Sequence, residues 1–104
     1  MQHIAMAQKD EEGDRDGKKL VFFDVETTVP TRSGQGYQLL EFAAVVLDTR
    51  GLSELLSFHT LVRPKDPSSV NRRTTDCNGI TRHTVADAPA FADVADDIYS
   101  ILHG

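Results

Sequence analysis

Bulky hydrophobic residues fall in this chain into three extended runs and then one stripe at helical spacing. The first run, Leu20, Val21, Phe22 and Phe23 followed by Val25, is β-branched or aromatic enough for a strand covered on both faces. Residues 39–47 form a second run whose Leu, Glu and Ala also suit a helix. The turn signal Asp48-Thr49-Arg50-Gly51 and a third run over 55–62 favour a hairpin instead. The pattern predicts strands over 19–26, 37–48 and 52–62, paired mainly antiparallel. Pro64 and Pro67 then end the hairpin, because proline brings no N–H to a ladder. Ser68 or Ser69 is placed to cap a short helix through Asp76. Phe91, Val94, Ala95, Ile98, Ile101 and Leu102 recur at helical spacing, with Asp93, Asp96, Asp97 and Ser100 on the opposite, solvated face. The expected fold class is α/β, a three-stranded sheet followed by helices packed on one face.

Asp24 and Glu26 interrupt the first run. Alternate strand side chains share a face, so the two carboxylates stand about 7 Å apart, within reach of one cation or a pair. Val25 between them faces the core. An unpaired charge inside such a strand costs several kcal/mol, and two together call for a cation. Residue types alone also fit a second reading, in which the strand stops at Phe23, Asp24 is a turn or capping residue and Glu26 is solvated.

Outside these elements the chain is polar. Residues 1–18 carry Lys9, Asp10, Glu11, Glu12, Asp14, Arg15 and Asp16 and read as a disordered leader. Their apolar part, residues 4–7, is too short for a signal-peptide core, and no stretch long enough to cross a bilayer follows. The expected location is intracellular, cytoplasmic or nuclear. Pro30, Gly34 and Gly36 mark a loop after the first strand. A length of 104 residues allows one small domain, placed over 19–104. The net charge of -5 argues against a surface that coats nucleic acid, without excluding an enzyme whose acidic site recruits a cation first. Cys77, the single cysteine, excludes an internal disulfide and a cysteine-based zinc site.

Phe23-Asp24-Val25-Glu26-Thr27-Thr28 resembles the first motif, Asp-x-Glu-Thr, of the DEDD 3′-5′ exonucleases, DEDDh or DnaQ-like, which have a ribonuclease H-like fold. Glu41 sits where that family has a Glu at the start of the next strand, and Asn78-Gly79-Ile80-Thr81 resembles its Gly-Ile-Thr segment. Many members have Gly shortly after the two threonines, where this chain has Val29-Pro30. The stretch over 22–34, ending in Val29-Pro30-Thr31-Arg32-Ser33-Gly34, resembles a plant group of NAC-dependent exonuclease-domain proteins associated with nuclear degradation in sieve elements. The resemblance covers residues 19–104, the first half of an exonuclease domain. It implies the leading half of a ribonuclease H-like fold, with an opening strand that lacks its second neighbour and leaves an unpaired, association-prone edge.

The resemblance further implies that Asp24 and Glu26 are catalytic ligands of Mg2+ or Mn2+, two ions in the intact family domain. It places Thr27, Thr28, Gly79, Ile80 and Thr81 against the terminal nucleotide of a single-stranded DNA or RNA 3′ end, with Ile80 as an apolar surface for a base. Glu41 would support the ligands from behind. Each has a plainer structural reading: Glu41 as a charge at a strand edge, 78–81 as a turn, His59 as a structural hairpin residue, Arg72 and Arg73 as a solvated basic turn. The family's third and fourth carboxylates and its base histidine have no counterpart in these residues, so the chain by itself is expected to be inactive. The alternatives to an exonuclease fragment are a non-catalytic nucleic-acid-binding or regulatory fragment of the same fold, and a structural α/β module.

Overall fold

The computed structural model describes residues 3–10 and 18–103. Four strands, β1 (His3–Asp10), β2 (Lys18–Thr27), β3 (Leu39–Asp48) and β4 (Glu54–Leu61), form one sheet in the order β1-β2-β3-β4, antiparallel throughout. A 3-10 turn (Pro67–Ser69) and three helices, α1 (Arg72–Asn78), α2 (Arg82–Val85) and α3 (Phe91–His103), follow. The three expected strands and the closing helix are present, each within about two residues of the boundary that the pattern predicts. Among the described residues no helix is long and apolar enough to cross a membrane.

Two expectations are corrected at the start of the chain. Residues 3–10, part of the expected leader, form β1 and pair with β2 from His3 opposite Val25 to Asp10 opposite Lys18. The β2 edge expected to lie open is therefore closed. An open row of N–H and C=O groups is a template for any nearby extended segment, which outweighs the weak strand signal of the segment that fills it. Lys18, the last residue of that leader, opens β2, and residues 1–2 and 11–17 lie outside the described residues.

Alternation then sorts the sheet into two faces. Val21, Phe42, Ala44 and Val46 point one way and pack with Val94, Ile98 and Ile101 of α3, all buried. Burying these three α3 side chains contributes about 1.5–3 kcal/mol each, which fixes α3 across the sheet. Asp93, Asp96 and Asp97 lie exposed on its other side, as the spacing predicts. A second core, Leu40, Val70, Ile80, Val85 and Ala88, seats α1 and α2 at the end of the sheet where β2 stops.

The short helices owe their form to side-chain caps. Asn71, not Ser68 or Ser69, caps α1 by accepting the Thr74 N–H at 2.9 Å. Asp66 instead caps the 3-10 turn, accepting the Ser68 N–H at 3.0 Å. Thr81 opens α2 in a reciprocal capping box with Thr84. That helix is only four residues long, which is why hydrophobic spacing gives no sign of it.

Candidate active site

β2 delivers Asp24 and Glu26 to the face opposite α3, while Val25 packs against the α3-side core. The strand continues through both carboxylates to Thr27, so the reading in which it stops at Phe23 does not hold. Glu26 is 5% exposed. Asp24 Oδ1 is buried and accepts no hydrogen bond among the described residues. An anionic oxygen in that state is costly unless a cation or a donor reaches it. Two hard carboxylates on one face, one with such an oxygen, fit a divalent cation of the magnesium type. No group of three His, Cys, Asp or Glu side chains is arranged to hold a metal ion among the described residues.

β3 adds a third carboxylate. Glu41 stands directly across from Glu26 in the antiparallel register, a separation of about 5 Å between β-carbons. Like charges so placed repel, and the structure turns Glu41 away: its Oε2 meets His59 Nε2 of β4 at 2.6 Å. His59 is itself in register with Ala43, the partner of Asp24. One face thus carries Asp24, Glu26, Glu41 and His59 across three strands. A hairpin histidine with no assigned partner is in fact the tether of Glu41.

The register slips by one residue between Glu26 and Thr27, which ends the ladder beside the carboxylates. The chain leaving β2 is then tied to α1. Asn78 Nδ2 donates to the Thr27 carbonyl at 3.0 Å, the Val29 N–H donates to Thr74 Oγ1 at 2.9 Å, and Asn71 Nδ2 donates to the Val29 carbonyl at 3.3 Å. Thr28 is 2% exposed, and its Oγ1 accepts the Gln38 N–H at 2.9 Å. Its hydroxyl is directed into the protein, where it anchors the loop.

Residues 79–81 lie next to this segment because Asn78 bonds both Thr27 and, through Oδ1, the Ile80 N–H at 3.0 Å. Ile80 is 5% exposed and belongs to the second core, so its side chain is spent on packing and not displayed as a platform. Gly79 and Thr81 are exposed, and Gly79, at φ 77, ends α1 with its N–H on the Thr75 carbonyl at 2.7 Å. A β-carbon there would meet no atom within 4 Å, so the constraint is the backbone angle alone. Gly79→Ala is expected to destabilise the fold by about 1–2 kcal/mol without a clash, read as a lower urea midpoint at unchanged slope. An unchanged midpoint would contradict this account of the α1 terminus. Arg72 and Arg73 lie exposed on α1, with Arg72 in a loose pair to Asp76 at 3.8 Å.

Residues 21–104 match the family model described as Exonuclease, RNase_T. Protein NEN2 of Arabidopsis thaliana is 47% identical over 89 residues, which is 86% of this chain and 18% of that protein. Protein NEN4 of the same plant is 48% identical over 86 residues, 83% of this chain and 34% of its own length. Among solved structures, the nuclease domain of 3′hExo, a DEDDh family member bound to rAMP, superposes with a TM-score of 0.64 at 25% identity, covering 75% of this chain and 40% of that one. The chain therefore spans about a fifth to a third of these plant relatives.

Proposed function

Because the chain belongs to the RNase_T exonuclease family, we propose that Asp24 and Glu26 hold a divalent cation at a nucleic-acid 3′ end and that residues 19–104 are the leading part of a domain that hydrolyses the terminal phosphodiester. The observation that carries this reading is the buried Asp24 Oδ1 without a hydrogen bond, on the same sheet face as Glu26. Mg2+ or Mn2+, two ions in the intact domain, would activate water and offset charge on the leaving oxygen. The chain's own residues bind and orient. Asp24 and Glu26 supply hard oxygen ligands from an interior strand whose register fixes their spacing. Glu41, tethered by His59, supports them without crowding Glu26. Thr27 and Thr28, held by Asn78 and Gln38, and Gly79 with Thr81 offer backbone to the terminal nucleotide; Ile80 contributes by holding that backbone in place. A cytoplasmic or nuclear setting suits such a substrate.

The 104 residues by themselves carry two of the family's four carboxylates and no base histidine, and on that ground they should not turn over substrate. Members of a cooperating catalytic unit lose most of their effect together. Purified chain incubated with end-labelled single-stranded DNA or RNA and Mg2+ or Mn2+ is expected to leave the label at full length. Progressive 3′ shortening that disappears in Asp24→Asn would overturn this. The limited donor set among the described residues also favours a second reading, a fragment that binds nucleic acid without cutting it. Full-length protein carrying this segment distinguishes the two, since only the first reading predicts Mg2+-dependent 3′ shortening.

A further inference from the structure

The sheet face that bears Asp24 holds the first of three adjoining depressions. The first, of 380 Å3, runs from Phe22 and Asp24 to His59. The second, of 450 Å3, runs from His59 to His83 and Thr84 of α2. The third, of 340 Å3, begins at His83 and lies between α2 and the segment that leaves β4. Each shares one histidine with the next, so a single surface path leads from Asp24 to the last cleft.

That last cleft differs in chemistry from the rest of the chain. Its walls are apolar, with Val70 and Val85 at 3% and 2% exposure beside Pro64 and Pro67. Its polar groups are Arg63, Arg82 and His83, and among the described residues no carboxylate lines it, in a chain of net charge -5. Arg82 is fixed in place: its Nε donates to the Val70 carbonyl at 3.1 Å and Nη2 to the Ser68 carbonyl at 3.4 Å. This holds the guanidinium plane against the wall and leaves its remaining donors for a ligand. Nearby Asp66 has its carboxyl held below the usual range first by its bonds from Ser68 and then by the charges of Arg82 and Arg32, so Arg82 is in part already compensated. Arg63 is not. Its N–H is taken by the Pro89 carbonyl at 2.8 Å, but its guanidinium is exposed and makes no ion pair or hydrogen bond among the described residues.

We propose that the Arg63–Arg82 cleft is a second binding site for single-stranded nucleic acid, holding a nucleotide upstream of the 3′ end whose terminus lies at Asp24 and Glu26. This rests on the nucleic-acid reading of the chain. The assignment follows from the combination of groups: apolar walls and a guanidinium plane accept a base face of any sequence, and unpaired guanidinium donors accept the adjoining phosphate. An acidic peptide would satisfy the charges and leave the apolar walls bare. A path passing His59 and His83 meets Asp87 in the middle depression and ends in the cleft that no carboxylate lines among the described residues. The cleft thus offsets the repulsion that a net acidic chain presents to a polyanion.

Fluorescence anisotropy of a labelled ten-nucleotide single strand, in EDTA, tests the site apart from metal binding and turnover, so failure of the hydrolase reading leaves the result intact. Wild-type chain is expected to bind with a salt-dependent affinity, and Arg63→Gln to weaken binding at least about fivefold and to flatten the log–log salt slope by about 0.7, the loss of one phosphate contact. Arg63→Lys should keep the slope, and Asp96→Asn on the exposed face of α3 should bind no more weakly than wild type. Because the Arg63 guanidinium braces no other group, its variants should melt like the parent. Equal affinity and slope for Arg63→Gln and wild type would overturn the proposal, as would equal competition by a poly-glutamate peptide of matched charge.

Discussion

Asp24→Asn in the full-length protein is expected to lower 3′-end hydrolysis by about 10³-fold or more while leaving the metal-free melting temperature unchanged or raised. The substitution keeps size and shape and removes one negative charge. Asp24 shares its face with Glu26 and Glu41, and its buried Oδ1 accepts no hydrogen bond among the described residues. In the folded chain without metal that charge is a cost, because desolvation and like-charge repulsion act on it together. A neutral amide is cheaper to bury. The same charge is the one that a cation would use, so function and metal-free stability should move in opposite directions. Kinetics with Mg2+ saturating and a thermal melt in EDTA measure both. Wild-type turnover in the variant would show that Asp24 is no ligand, and a fall in melting temperature would show that its charge is satisfied by the protein.

The second large effect is structural. Phe42→Ala is expected to cost about 3–5 kcal/mol, most of the stability of a domain worth about 5–15 kcal/mol. Phe42 is 1% exposed and lies between Phe23 and Phe58, with ring centroids at 6.1 Å and 6.2 Å. It pairs with Val25 in the register, behind Asp24 and Glu26, so the cavity would open under the carboxylate pair. Tyr37, 73% exposed, is the control, and its replacement by Ala should stay within about 0.5 kcal/mol. Urea denaturation followed by circular dichroism decides it. A loss below about 1 kcal/mol for Phe42→Ala would show that this core is not the support of the sheet.

Hydrophobic alternation made the strands and α3 legible, because each is long enough to bury a full face. It also placed Asp24 and Glu26 together, since period-two geometry needs no knowledge of neighbours. Pairing register was not legible. A one-residue slip between Val46 and Leu47 sets His59 opposite Ala43; without it, His59 would pair with Phe42 and point toward α3. The Glu41–His59 tether thus depends on a bulge that has no hydrophobic signature. Burial was misjudged at two positions for a related reason. Thr28 and Ile80 read as polar and apolar groups available to a ligand, yet Gln38 across the loop and the core around Leu40 and Val85 claim them. β1 was missed because its pattern is weak and its pairing comes from the open edge of β2.

The central claim is that Asp24 and Glu26 form a cation site on this chain. Mn2+ titration followed by electron paramagnetic resonance tests it most directly, with Asp96→Asn on the exposed face of α3 correcting for diffuse binding to surface carboxylates. Wild-type chain and Asp96→Asn are expected to retain one weak Mn2+, displaced by Mg2+, that Asp24→Asn loses. Equal Mn2+ retention by Asp24→Asn and wild type would contradict the account.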